Sequence, residues 1–203
     1  MNRETDEEQH QGFSSTDRSV RLEQAKDIGA SIAAGTISRI ETEEINNHVH
    51  TTYSFSPYSP SEAAYRAWVA GLQTVGAMDH DSVAGCEEML DAGKAIGIAT
   101  TVGCELRVSM SGTAVEGRKL NNPDSPNIAY IALHGIPRNN LGRIAGFLEP
   151  VHKARNRRNR AMTDRLNEVI DGWGIGSLDF DNDVRAISRA DEGGSITERH
   201  LLF

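Results

Sequence analysis

Two histidines separated by one residue close a short apolar run at Asn47-His48-Val49-His50-Thr51. Alternate side chains of an extended strand share a face, so His48 and His50 present two imidazoles together, as a metal site requires. The bland alternative is a pair of surface histidines. A second run ends in Met78-Asp79-His80-Asp81 and leads directly into a helical pattern, which places three ionisable groups at one strand end. Its bland alternative is an aspartate helix cap with an incidental histidine. A third run closes on Gly103-Cys104-Glu105. Each motif is weak alone. Three successive strand candidates that deliver His, Asp or Glu at the same end favour a divalent-metal site, since that end is where βα folds collect their chemistry. A mixed imidazole and carboxylate set suits Mn2+, Fe2+, Zn2+ or Mg2+.

The segment Lys153 to Arg165 holds six basic residues and one acid, Asp164, in a chain of net charge −8. At about 100° per residue, Val151, Met162, Leu166 and Val169 form one apolar stripe. Arg155, Arg158 and Arg165 fall on it, while Arg157 and Arg160 fall opposite. Arginines on an inward stripe need an anionic partner. A phosphate held by guanidinium forks would serve, and so would an ion pair with a buried acid.

The elements that must position these residues alternate. Strand candidates are 44–50, 74–79, 98–108 and 127–134; helix candidates are 17–34, 61–72, 82–96, 139–147 and 150–171. Pro60-Ser61-Glu62 and Asp81-Ser82 are helix-start signals. Short strands alternating with helices predict an α/β fold with a parallel sheet or barrel of βα units. Residues 109–126 read as a loop, and residues 1–15 as disordered.

The chain has 203 residues, 38% hydrophobic and 25% charged, enough for one domain with a real core. Its longest apolar runs are too short to span a bilayer, and its start carries no secretory pattern. Cys86 and Cys104 offer neither a disulfide framework nor a metal knuckle, so a reducing cytoplasmic location is expected. Net acidity argues against general coating of nucleic acid, and no stable nucleic-acid or membrane partner is expected.

The stretches NNHVHTTYSFSPYSP, VGAMDHDSVAG and VGCELRVS resemble the PHP family, named for polymerase and histidinol phosphatase domains. The later stretch RNRRNRAMTDRLNEVIDGWGI to GGSITERHLLF is similar to the branch of nucleotide phosphatases and 5′-to-3′ exoribonucleases. The resemblance covers about residues 44–203 and implies the N-terminal part of a distorted (βα)7 barrel with two or three divalent metals. Domain 43–203 would be incomplete, with an arginine-rich helical insertion at about 139–195, preceded by an acidic extension over 1–42. Completing ligands, a histidine and a DxH pair, are expected beyond Phe203, so residues 1–203 alone are expected to turn over poorly.

Carried over residue by residue, His48, His50, His80 and Glu105 resemble the metal ligands. Asp79 and His80 resemble the catalytic pair, with Asp79 expected to orient a histidine. Arg155, Arg158, Arg199 and His200 resemble the contacts to substrate phosphate. Two positions depart from the family pattern. Phe55 stands where an Asp is usual, and Tyr130 where a His is usual, with His134 on the same strand face as a substitute ligand. The implied activity is hydrolysis of phosphate esters of nucleotides or short RNA by a metal-activated water. The alternative is a metal-binding PHP domain with a structural or regulatory role. Amidohydrolases also open on an HxH strand, but they lack the DHD motif at this spacing.

Overall fold

The computed structural model describes residues 12–202. Four strands form one sheet in the order β1 (Ile45–Val49), β2 (Thr74–His80), β3 (Ala99–Ser109) and β4 (Ile128–His134). The first three are parallel and joined by helices α2 (Pro60–Val69) and α3 (Cys86–Ile96), as their alternation predicts. Strand β4 instead runs antiparallel to β3. Residues 110–127 form turns with no helix, so no crossover returns the chain to the starting edge. The expected all-parallel sheet therefore fails at its fourth strand.

The start of α2 follows its local signal, whereas α3 begins at Cys86 rather than at the expected Asp81-Ser82, and its N-cap Gly85 offers no side chain. Ser59 caps α2 by accepting the Glu62 backbone N–H, with Pro60 in the first turn. Helix α3 ends at Gly97, whose φ of 86° is left-handed. Its apolar face, Cys86, Met89, Ala92 and Ile96, joins the core beneath β2 and β3. Both cysteines are free and buried, and burial pushes their thiols up to about 12 and about 11.

Helix α1 (Arg18–Ala33) packs into this core through Ala25 and Ile28. Phe13 is 1% exposed and its ring packs against Tyr65, so residues 12–15 are ordered where disorder was expected; residues 1–11 lie outside the described residues. A Cβ at Gly29 would lie 2.0 Å from the Ala95 carbonyl oxygen, so α1 meets α3 backbone to backbone. About two turns from that contact, fully buried Arg21 donates from Nε and Nη2 to Glu88 at 2.8 and 2.6 Å. Ser61 donates to the same carboxylate from its hydroxyl at 2.8 Å, and Arg21 Nη1 donates to the carbonyls of Ser15 and Thr16. Every side of this buried pair is hydrogen-bonded, which a buried charge demands.

Helix α4 (Leu141–Ile170) is continuous through Pro150, where two helices were expected. Proline removes one ladder donor. Leu148 on one side and Asn159 on the other are both buried, and packing holds the two halves in line. The buried face carries Leu141, Leu148, Asn159, Thr163 and Ile170. Of the expected stripe, Met162 is 39% and Val169 61% exposed, so the helix is rotated by roughly 70° from the hydrophobic reading. Asn159 Nδ2 donates to the Ile196 carbonyl at 2.8 Å, and a polar residue thus takes the centre of the inward face. A small second core of Phe180, Val184 and Ile196 lies beyond α4.

Candidate metal centre and its arginine rim

Three imidazoles converge on one carboxylate oxygen. His48 Nε2, His50 Nε2 and His80 Nδ1 lie 3.4, 3.5 and 3.2 Å from Glu105 Oε2. The ligand atoms of His48, His50 and Glu105 fall within 4.8 Å of one another, the grouping a single cation needs. Register explains the convergence. His48 lies on β1 and His50 directly follows its last residue, and their ring centroids are 5.1 Å apart. His80 sits directly opposite Glu105 in the β2–β3 ladder, and its ring stacks on His50 at 4.5 Å. Burial pushes both the His50 and His80 imidazoles below their ordinary range, which favours the neutral form a metal binds.

Asp79 faces away from this cluster, as strand alternation requires. It accepts the Thr51 N–H at 2.6 Å, the Thr51 hydroxyl at 2.6 Å and the Ser54 hydroxyl at 2.7 Å. Ser54 Oγ also lies 3.4 Å from His50 Nδ1. Asp79 is thus placed against the turn that carries His50 and is not among the residues lining the cavity, a position suited to orienting a histidine. Burial pushes its carboxyl above the usual range, and the three donors pull against that shift.

Asp81, the last residue of the motif, adopts a left-handed φ of 49°. Its N–H donates to the Glu105 carbonyl at 2.8 Å, and its carboxylate, 2% exposed, receives Arg155. Arg155 is 9% exposed and also donates from Nη1 to Glu198 at 3.4 Å. Thus the ion pair with a buried acid is present, while Arg155 still lines the same cavity as the histidines.

That cavity, about 430 Å³, is lined by His48, His50, His80, Glu105, Tyr130, Arg155, Thr197, Glu198 and Arg199. Arg158 reaches it indirectly, through an ion pair with Glu198. Arg165 is exposed, and Arg160 pairs with Asp181 and stacks on Phe180 away from the site. Burial alone would push the Glu198 carboxyl up, but a backbone N–H and the guanidinium groups of Arg158, Arg155 and Arg107 hold it below its usual range.

Two expected residues are not brought to the cluster. His134 is exposed and pairs with Gly103, two residues before Glu105 on β3, while Tyr130 stands opposite Arg107, two residues after it, and lines the cavity. Because β4 runs antiparallel, its first residues rather than its last lie at the site. Asn121 holds Tyr130 there through both of its backbone groups, at 2.7 and 2.9 Å. His200 is buried, and its Nδ1 accepts the Thr197 N–H at 3.0 Å. Its ring meets Phe55 edge-on at 4.7 Å and lines a neighbouring cavity of about 710 Å³. The sequence marked Asp81 only as an ionisable group at a strand end and a helix-start residue, and it gave Arg107 and Glu198 no role. Only the adjacency of Glu198 to the Arg199-His200 step could have signalled the last.

The PHP domain profile matches residues 46–184, and the chain belongs to this family. It is 32% identical over 80 residues to a 5′-3′ exoribonuclease of Haemophilus influenzae, an alignment covering 39% of this chain and 29% of that protein. Two solved structures share the fold. One, from Bifidobacterium adolescentis, is provisionally described as a metal-dependent phosphoesterase; its TM-score is 0.56 at 22% identity, over 78% of this chain and 48% of that one. The other is an amidohydrolase from Chromobacterium violaceum with bound sulfate, at TM-score 0.58 and 24% identity, over 78% of this chain and 49% of that one. The chain thus spans about half the length of each solved relative and less than a third of the exoribonuclease. No helix among the described residues is long and apolar enough to cross a membrane.

Proposed function

We propose that the chain supplies the metal- and phosphate-binding side of a phosphoesterase acting on phosphate esters of nucleotides or short oligonucleotides. The observation that carries this is the convergence of three imidazoles on one Glu105 oxygen beneath a rim of arginines. The donor set fits Mn2+, Zn2+, Fe2+ or Mg2+, with His48, His50, His80 and Glu105 as ligands for two or three ions. When bound, such ions lower the pKa of a coordinated water towards neutrality and polarise a phosphoryl oxygen.

The protein's own groups do the positioning. Asp79 and Ser54 fix the His50 ring so that Nε2 faces Glu105. Arg155 and Arg199 supply positive charge over the same cavity, where negative charge on an in-line transition state would develop. Two relatives support the substrate class: the Haemophilus influenzae protein acts on RNA from its 5′ end by name, and the Chromobacterium violaceum structure holds an oxyanion.

Calorimetric titration of the metal-stripped protein with Mn2+ and Zn2+ tests the first half. Binding should be lost in His50→Ala and Glu105→Ala while their circular dichroism stays native. Release of phosphate from nucleoside bisphosphates and 5′-phosphorylated RNA trimers tests the second. Wild-type metal affinity in both variants would overturn the assignment.

A further inference from the structure

Glu198 occupies a position that a phosphate would be expected to take. Its Oε1 receives Arg158 and lies 4.0 Å from Arg107 Nη1, and its Oε2 receives Arg155 at 3.4 Å. Three guanidinium groups therefore close on one carboxylate at the wall of the metal cavity. The cage is only half satisfied. Arg158 Nε is buried and has no hydrogen-bond partner, because Glu198 engages Nη2 alone. A guanidinium presents Nε and Nη as a fork, and a tetrahedral oxyanion can take both prongs where this carboxylate takes one.

The two acids of the cage differ in freedom. Asp81 is 2% exposed, sits at a strand end and is held through its own backbone N–H. Glu198 is 42% exposed and starts the short 3-10 turn Glu198–Leu201, so its side chain can leave without unfolding anything.

We infer that Glu198 is a specificity-determining internal anion: it sits as counter-charge among Arg155, Arg158 and Arg107 in the free protein and is displaced by a phosphate group that takes both donors of Arg158. This rests on the reading of the cavity as a phosphoester site. Its consequence is that weakly charged anions do not compete for the arginines, whereas a phosphate dianion, with more charge and three acceptor oxygens, does. Like charge left beside an incoming anion costs affinity, so removing the Glu198 charge should strengthen phosphate binding.

The test is inorganic phosphate binding, followed by calorimetry in chelator so that no metal contributes. Glu198→Gln should bind phosphate about tenfold more tightly than wild type. Glu198→Asp, which retracts the carboxylate by one methylene, should gain less. Asp181→Asn removes an equal charge at the distant Arg160 pair and should leave affinity unchanged. In an Arg158→Ala background the Glu198→Gln gain should vanish. Equal or weaker binding by folded Glu198→Gln, an equal gain in Asp181→Asn, or no phosphate binding by any variant would overturn the inference. Failure of the phosphoesterase reading appears separately, as absent metal binding and turnover in a protein whose phosphate affinity still responds to residue 198.

Discussion

Asp79 separates a ligand role from a positioning role. Its two oxygens accept three hydrogen bonds, from the Thr51 N–H, the Thr51 hydroxyl and the Ser54 hydroxyl, and both partner residues are almost fully buried. Replacement by Ala strands three buried donors, each costing about 1–3 kcal/mol. Partial rearrangement of the two hydroxyls reduces the sum to roughly 3–5 kcal/mol, a large part of a typical stability of about 5–15 kcal/mol. Replacement by Asn is far milder. The amide oxygen can keep the Thr51 N–H and the Ser54 hydroxyl while the amide nitrogen donates to the Thr51 hydroxyl oxygen, so about 1–2 kcal/mol is lost. Because Ser54 reaches His50, Asp79→Ala should also weaken metal binding about 10- to 100-fold, whereas Asn should retain most of it. Urea denaturation gives the first quantity and calorimetric metal titration the second. If Asp79→Asn removed metal binding as completely as His50→Ala, Asp79 would be a ligand and the positioning argument would fail. If Asp79→Ala left both quantities at wild-type values, the hydrogen-bond network would be idle.

Other perturbations test the scaffold. Arg21→Ala leaves Glu88 charged and buried without its partner and should cost about 3–5 kcal/mol in urea denaturation; a loss below 1 kcal/mol would mean that α1 is not locked to α3. Arg155→Ala strands Asp81 in the same way and should lower the melting temperature clearly, whereas Arg160→Ala, half exposed beside Asp181, should barely move it. Equal effects would contradict the observed rotation of α4. The metal-free protein should lose stability as pH falls below about 6.5, the pKa of an unfolded histidine. Burial holds His50, His80 and His200 below that value in the fold, so the unfolded chain takes up protons first and stability rises with pH across this window. A denaturation midpoint unchanged between about pH 7.5 and 5.5 in chelator would show that these rings are not held neutral by burial.

Much of the site was legible because its logic is local. The parity of His48 and His50 follows from strand geometry, and Asp79-His80-Asp81 ends its strand whatever packs around it. Parity also implied that Asp79 and His80 face opposite ways, and the structure shows Asp79 beneath the turn and His80 over Glu105. The helix starts at Ser59-Pro60 and the stop at Gly97 were likewise written in a few neighbouring residues.

Tertiary structure decided what depends on partners distant in sequence. The direction of β4 selects Tyr130 over His134 for the cavity, and strand direction is set by the chain's return path rather than by the strand's own residues. The rotation of α4 follows a hydrogen bond from Asn159 to Ile196, which a count of apolar residues cannot detect. Arg155 lies inward because Asp81 waits for it, and Arg158 lies at the rim against Glu198. Periodicity tells which side chains share a face. Which face is buried, and which charges meet there, depends on the long-range cost of leaving a buried polar group without a partner.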